Sequence, residues 1–338
     1  MPTLRGMHPV LFEIPGLGFP LRSFGVLVAA GFLFAVWLWG KALARYGHDP
    51  AEDPNRGSQV GVWILIGVLG GARLFYVGVE VAGYLAADPS EAVQAYLEAD
   101  ERGPHAARLA MEAPEELERA QNLSIGYDLL HDPLQIFAIW RGGLVMYGGF
   151  LGAVLLGMWS ARKQGLDPWN ALDTGLVCGF FGQAIGRWGC LLVGDDYGSV
   201  VGEAYRDLPF PLTVTVPSRE WLSQNPESLF PAELSGEVLW ATQPWMSINA
   251  FLVGLVGWMV LRRRRWVGQV SAVIVIHYAI SRFVIEGFRG DAVRGVWFGG
   301  ALSTSQLLSI PGLLLGLFLL FRRVGSGDPP ERARSSAA

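Results

Sequence analysis

Cysteine is nearly absent. The 338 residues hold two, Cys178 and Cys190, both in or beside one apolar segment. Such a pair builds neither a disulfide framework nor a zinc site, so both read as buried thiols. Charge is scarce as well: 17% of residues are Asp, Glu, Lys or Arg, against about 25% in soluble domains. Internal repeats are missing, and with them the matched halves expected of a transporter. No P-loop, dinucleotide fingerprint or nucleic-acid patch is found, so neither a cofactor nor a nucleic acid partner is expected, and no metal. The opening MPTLRGMHPVLFEIPG lacks a basic stretch followed by an apolar run and a cleavage site. The first apolar segment is therefore expected to direct insertion itself.

What is present is apolar. Hydrophobic residues make up 51% of the chain, with 13 tryptophans and 44 glycines, and the mean hydropathy is +0.33. That composition specifies an all-α polytopic membrane protein. A span needs about 20 mostly apolar residues. Seven candidates are found, at 21–40, 59–79, 143–160, 171–193, 246–261, 268–287 and 304–321. Together residues 1–321 read as one integral membrane domain.

Basic residues orient it. Lys41 and Arg45 follow the first span, Arg162 and Lys163 the third, the run Arg262–Arg265 the fifth, and Arg322 and Arg323 the seventh. By the positive-inside rule these segments are cytoplasmic. The N-terminus is then periplasmic and the C-terminus cytoplasmic, and residues 322–338, GSGDPPERARSSAA included, read as a disordered cytoplasmic tail. Two acidic insertions, 81–142 and 194–245, fall outside. The first holds two short amphipathic helices with starts at Ser90 and Pro114-Glu115, and the second a strand in PFPLTVTVP. Together they form a small periplasmic head of mixed helix and short strands.

Charges inside the apolar segments carry the functional signal, because each costs roughly 2.5–3.5 kcal/mol to insert. In SAVIVIHYAISRFVIEGFRGD, Tyr278, Arg282, Glu286 and Arg289 are spaced by four, four and three. They share one helical face. Ile274, Ile280 and Val284 occupy the other. An Arg282–Glu286 pair that only fixes the helix is the plain alternative, but the stripe has excess positive charge. Arg187 lies near the outer end of the fourth span. Asp173, about 21 Å away along the same helix, reads as structural. Three arginines thus converge near the outer leaflet, and arginine grips phosphate bidentately. A phospholipid head group is the expected ligand. Glycines bracket Tyr147 in GGLVMYGGFLG and Arg187 in GRWGCLLVGDDYG. Unwound backbone at that depth is tolerated where it lines a cavity.

These residues resemble the prolipoprotein diacylglyceryl transferase family over residues 8–321. The family signature G-R-x-G-N-F-x-N-G-E-x-x-G is matched by Gly186-Arg187-Trp188-Gly189-Cys190 through Asp195 to Gly198. Its H-G-G-L segment is matched by Tyr147-Gly148-Gly149-Phe150, and R-F-x-x-E-x-x-R by Arg282-Phe283, Glu286 and Arg289. Arg22-Ser23-Phe24-Gly25, the ATQP holding Gln243 and the SQLLSIPG of the seventh span are similar too.

The resemblance implies an inner-membrane enzyme of bacterial lipoprotein maturation. It moves the diacylglyceryl group of phosphatidylglycerol to a lipobox cysteine in a prolipoprotein signal peptide. Carried over residue by residue, it implies catalytic roles for Arg187, Arg282 and Tyr147. It implies lipid contacts for Arg187, Arg289, Gly186, Gly198 and Tyr147, and supporting roles for Glu286, Asp195, Tyr278, Arg22 and Gln243. Asp195 stands at the signature glutamate, leaving Asp196 solvated. The chain departs from the pattern at five places. Tyr147 stands for histidine, Phe24 for tyrosine, Cys190 for asparagine, Asp195 for glutamate and Trp245-Met246 for Tyr-Glu. A paralogue that binds anionic phospholipid or a membrane partner without efficient transfer is the alternative reading.

Overall fold

The computed structural model of the chain describes residues 7–14, 19–99, 101–138, 143–291 and 295–331. It divides into two compact units: Met1–Ser58 with Gly165–Ala338, and Gln59–Gln164.

The first unit is a helical bundle. A strand pair, β1 (Val10–Ile14) with β2 (Phe19–Arg22), leads into α1 (Ser23–Tyr46). Four further long helices follow: α7 (Pro168–Val193), α9 (Thr242–Leu261), α10 (Gln269–Glu286) and α11 (Thr304–Arg322). Helix α7 is central: it packs on α1, α9 and α10, while α11 lies outermost against α10. Small residues allow the closest crossing. A Cβ on Gly31 of α1 would run into the Gly182 carbonyl of α7, and the converse clash also holds. Backbones meet there with no side chain between them.

The bundle is locked at one end by a buried charge cluster. Asp173 accepts from Arg264 at 3.1 Å, from the backbone N–H of Gly268 and Ser271 at 2.7 and 2.8 Å, and from the Ser271 hydroxyl at 2.6 Å. Both charged side chains of the Asp173–Arg264 pair are fully buried. Arg264 also donates twice to Glu331 at 3.0 Å. The expected structural role of Asp173 therefore holds. Within the segment read as a tail, Glu331 is the second carboxylate on Arg264. Residues 332–338 lie outside the described residues.

Between α7 and α9 sits a small head. Strand β3 (Thr213–Thr215) pairs antiparallel with β4 (Val238–Trp240), beside the short helix α8 (Arg219–Gln224). Val214, Val216, Leu222, Phe230 and Leu239 form its core with Leu191 of α7. The expected strand in PFPLTVTVP is β3. A third strand pair, β5 (Val296–Trp297) with β6 (Leu302–Ser303), joins α10 to α11.

The second unit holds α2 (Asp53–Ala86, from Gln59 on), α3 (Glu91–Glu98), α4 (Arg102–Glu112), α5 (Pro114–His131) and α6 (Met146–Lys163). Helix α6 lies on α2 through glycines: a Cβ on Gly148 would meet the Gly71 carbonyl, and one on Gly152 that of Gly67. Helices α3–α5 close over Val93, Tyr96, Leu97, Leu109 and Ala120. Ser90 caps α3 as expected, its hydroxyl accepting from the Val93 N–H. The cap of α5 is Ala113, with Pro114 at the first helical position. The end of this insertion, residues 139–142, lies outside the described residues.

Every expected span falls on a helix. Six helices among the described residues are long and apolar enough to cross a membrane: α1, α2, α7, α9, α10 and α11. The expected span over 143–160 is α6, whose 18 residues end in Arg162 and Lys163 and fall short of that apolarity.

Candidate functional site

Arg187 stands near the C-terminal end of α7. Seven residues on, the helix stops at Gly194, whose left-handed backbone (φ 81°) lets its N–H close on the Cys190 carbonyl at 2.9 Å. A Cβ there would meet the Phe230 ring, so glycine is required twice over. The chain then reverses. Asp195 N–H also reaches the Cys190 carbonyl, and Asp196 adopts φ 53°, a conformation Asp tolerates better than most residues. The turn carries Asp196 back over the end of its own helix.

There Asp196 joins two arginines. One carboxylate oxygen pairs with Arg187 Nη1 and the other with Arg289 Nη2, the latter at 2.5 Å. Side-chain exposure is 12% for Arg187, 8% for Arg289 and 20% for Asp196. The expectation of a solvated Asp196 is corrected: the reversal after Gly194 turns this carboxylate inward. Arg289 also forks onto Asp291, with Nε at 2.8 Å and Nη2 at 2.5 Å. Glu286, fully buried, lies 2.8 Å from Arg282 and 3.5 Å from Arg289. The four-and-three spacing thus delivers the shared face it implied. Of the residues expected opposite, Ile280 and Val284 are exposed, while Ile274 is buried in the bundle.

Arg282 completes the cluster. It donates to Met246 Sδ at 3.1 Å and to Ser305 Oγ at 3.0 Å. A cavity of about 10 Å³ lies between Arg187, Arg282, Tyr278, Gln183, Asn249 and Met246, room for about one water molecule. Tyr278 faces it while packing on Phe180 at 5.3 Å.

Helix α9 holds the turn in place. Gln243 donates to the Asp195 carbonyl at 2.9 Å and Thr242 to that of Asp196 at 2.7 Å. Gly198 pairs its backbone with Arg289, and a Cβ there would run into the Trp240 carbonyl. A Cβ on Gly186 would meet Val28 at ordinary van der Waals distance. Arg22, before α1, is exposed and pairs with Glu227 at 2.7 Å.

Asp195 and Asp196 have opposite electrostatics. Burial and the neighbouring Asp196 charge push the Asp195 carboxyl above the ordinary range. Burial also works against charge on Asp196, but Arg187, Arg289 and Arg282 outweigh it and hold its carboxyl below the ordinary range. Cys190, Asp195 and Asp196 place one thiol and two carboxylates within 4.8 Å of one another. Arg187 sits among them, 3.7 Å from Cys190 Sγ and paired with Asp196.

Tyr147 belongs to the second unit, where it is the second residue of α6. The loop before it is held by Arg73 of α2, which donates to the carbonyls of Gln135, Ile136 and Gly143 at 2.7, 2.9 and 3.2 Å. The signal for Arg73 in the sequence is an arginine inside the apolar GVLGGARLFYVG. Ser305 and Asp291 carry no such signal.

A model of the family described as prolipoprotein diacylglyceryl transferase matches residues 9–97 and 122–322. Similar proteins named phosphatidylglycerol–prolipoprotein diacylglyceryl transferase include that of Pasteurella multocida, 27% identical over 92% of this chain and 90% of the relative. That of Thermosynechococcus vestitus is 28% identical over 94% and 96%. That of Solidesulfovibrio magneticus is 30% identical over 59% and 71%.

Proposed function

The chain belongs to the prolipoprotein diacylglyceryl transferase family and is a membrane-spanning transferase, and from that premise we propose the following reaction and site. Phosphatidylglycerol enters with its phosphate toward Arg187, Arg282 and Arg289. A lipobox cysteine gives up its thiol proton to solvent, and the thiolate sulfur attacks the glycerol carbon of the diacylglyceryl group. The sulfur–carbon bond forms as the carbon–oxygen bond to phosphate breaks, and glycerol phosphate leaves with the electron pair.

The observation that carries this reading is the arginine cluster itself: Arg187 and Arg289 held by one carboxylate, with Arg282 beside them and all three largely buried. Guanidiniums fixed in a water-poor site stabilise charge as it develops on the departing phosphate. They also favour the thiolate form of an incoming cysteine. Asp196 bridges Arg187 and Arg289 until the lipid phosphate competes for them. Tyr147 stands at the histidine position of the family signature. The basic segments after α1, α6, α9 and α11 support an inner-membrane protein with a periplasmic N-terminus and a cytoplasmic C-terminus.

The test mixes purified protein with phosphatidylglycerol and a lipobox peptide and follows peptide mass, with Arg187→Ala as control. A diacylglyceryl gain that the control loses supports the transferase. No gain, with Arg187-dependent binding of phosphatidylglycerol, assigns the chain to lipid binding instead.

A further inference from the structure

The hairpin β5–β6 ends in a bare apolar tip. Val296, Trp297 and Phe298 are 54%, 55% and 76% exposed, and Gly299 and Gly300 complete the turn with positive φ. Three large apolar side chains in a row at a loop tip are unfavourable in water. The hairpin is nevertheless well anchored. Its base is tied to the first residue of α11 by Thr304 N–H to the Gly295 carbonyl at 3.1 Å. The Trp297 indole N–H donates to Thr304 Oγ1 at 3.0 Å.

That second bond sets the position of the tip. Thr304 lies one helical turn before Leu308, so the two share a face of α11. Leu308, and Leu315 two turns further on, are 45% and 52% exposed. Helix α11 is long and apolar enough to cross a membrane and packs on α10. The indole therefore stands directly above a lipid-facing stripe, at the level where the span begins. A tryptophan with its polar edge satisfied and its apolar face bare suits the boundary between head groups and acyl chains.

We propose that the β5–β6 hairpin is a bilayer-contacting finger, with Trp297 and Phe298 seated in the head-group boundary of the leaflet that meets the start of α11. Ser305, the residue after Thr304, accepts from Arg282. The finger and the arginine cluster thus hang from adjacent residues, and the finger fixes the depth at which a lipid phosphate faces Arg282. The placement rests on the membrane-spanning character of the chain and not on the transfer reaction.

The test uses the full-length protein carrying Phe298→Cys, labelled with an environment-sensitive fluorophore. Cys178 and Cys190 are buried and stay unlabelled. Glu203→Cys on the exposed surface of the head is the comparison site. Both are reconstituted in vesicles of phosphatidylglycerol and phosphatidylcholine. The expected result is strong quenching at 298 by lipids carrying a shallow nitroxide, with protection from iodide, and the reverse at 203. Quenching by iodide at both sites overturns the proposal. Shielding from both quenchers at 298 also overturns it, because the tip then meets protein. Val296→Cys, on the strand leading to the tip, repeats the measurement if Phe298→Cys does not fold.

Discussion

Arg187 and Asp196, nine residues apart, form an ion pair across the end of the helix that carries the arginine. The turn that makes this possible is short: a left-handed Gly194, an aspartate that reaches the Cys190 carbonyl, and a second aspartate with positive φ. Helix α9 pins its carbonyls through Thr242 and Gln243. A site built this way depends on the shape of arginine as much as on its charge. Arg187→Lys keeps the charge and loses the planar fork. Transfer should fall about 10²–10³-fold, the range seen when one preorganised donor is removed. Initial rates of peptide mass gain measure it, and a wild-type rate would remove Arg187 from the phosphate.

Asp196→Asn should split the kinetics. Asp196 is the carboxylate shared by Arg187 and Arg289. Neutralising it adds one net positive charge to the pocket, so anionic lipid binds more readily and KM falls. It also frees the Arg187 guanidinium to rotate, while Arg289 stays forked onto Asp291, so kcat falls. Rates across a phosphatidylglycerol series separate the two. A drop in kcat with KM unchanged or raised would show that Asp196 does not compete with the phosphate.

The two aspartates also predict opposite responses to pH. Asp196 has its carboxyl held low in the fold. Its contribution is present above the unfolded carboxylate pKa, about 3.9, and is lost as pH falls through the lower folded value. Asp195 has its carboxyl raised. Its contribution is present below about pH 3.9 and is lost as pH rises through the higher folded value, so at neutral pH its charge opposes folding. Asp195→Asn should therefore raise the melting temperature at pH 7, and Asp196→Asn should lower it. Thermal unfolding in detergent from pH 3 to 7 decides, and equal effects of the two variants would contradict the assignment.

How much of this was legible in sequence depends on range. Length and apolarity located the six membrane-crossing helices, and the spacing of Arg282, Glu286 and Arg289 gave their shared face, because both are local properties. The choice between Asp195 and Asp196 was not legible. Neighbouring aspartates carry the same pattern, and only the backbone reversal after Gly194 decides which turns inward. Arg264 was hidden for a related reason. It is one of four consecutive arginines, and its burial depends on Asp173, 91 positions earlier. Arg22 is the converse case: it sits in a recognisable motif yet pairs with Glu227 at the surface.

The Asp173–Arg264–Glu331 cluster ties α7 to the start of α10 and to the tail. Arg264→Ala leaves the fully buried carboxylate of Asp173 without its cation, which should cost about 3–5 kcal/mol. Glu331→Gln removes the carboxylate that is 24% exposed and should cost clearly less. Thermal unfolding ranks the two. Equal losses would mean that the tail, rather than Asp173, is what Arg264 serves.

The family match passes over residues 98–121, which hold α4 and the first turns of α5. This segment is not loose. Leu109, 2% exposed, packs with Val93, Tyr96, Leu97 and Ala120, and Arg102 reaches across to Asp128 at 2.9 Å and to the Leu97 carbonyl at 3.1 Å. The family match resumes on either side of the segment, so the expectation is that the reaction does not need it for its chemistry. Leu109→Ala should remove about 2–5 kcal/mol from this small core, enough to let α4 open locally while the long helices stay folded. Limited proteolysis should then nick the chain between residues 98 and 121, where the unaltered protein resists, and the transfer rate in the peptide assay should stay within about twofold. A loss of transfer that tracks the nicking would show that the insertion has been drawn into the reaction in this chain.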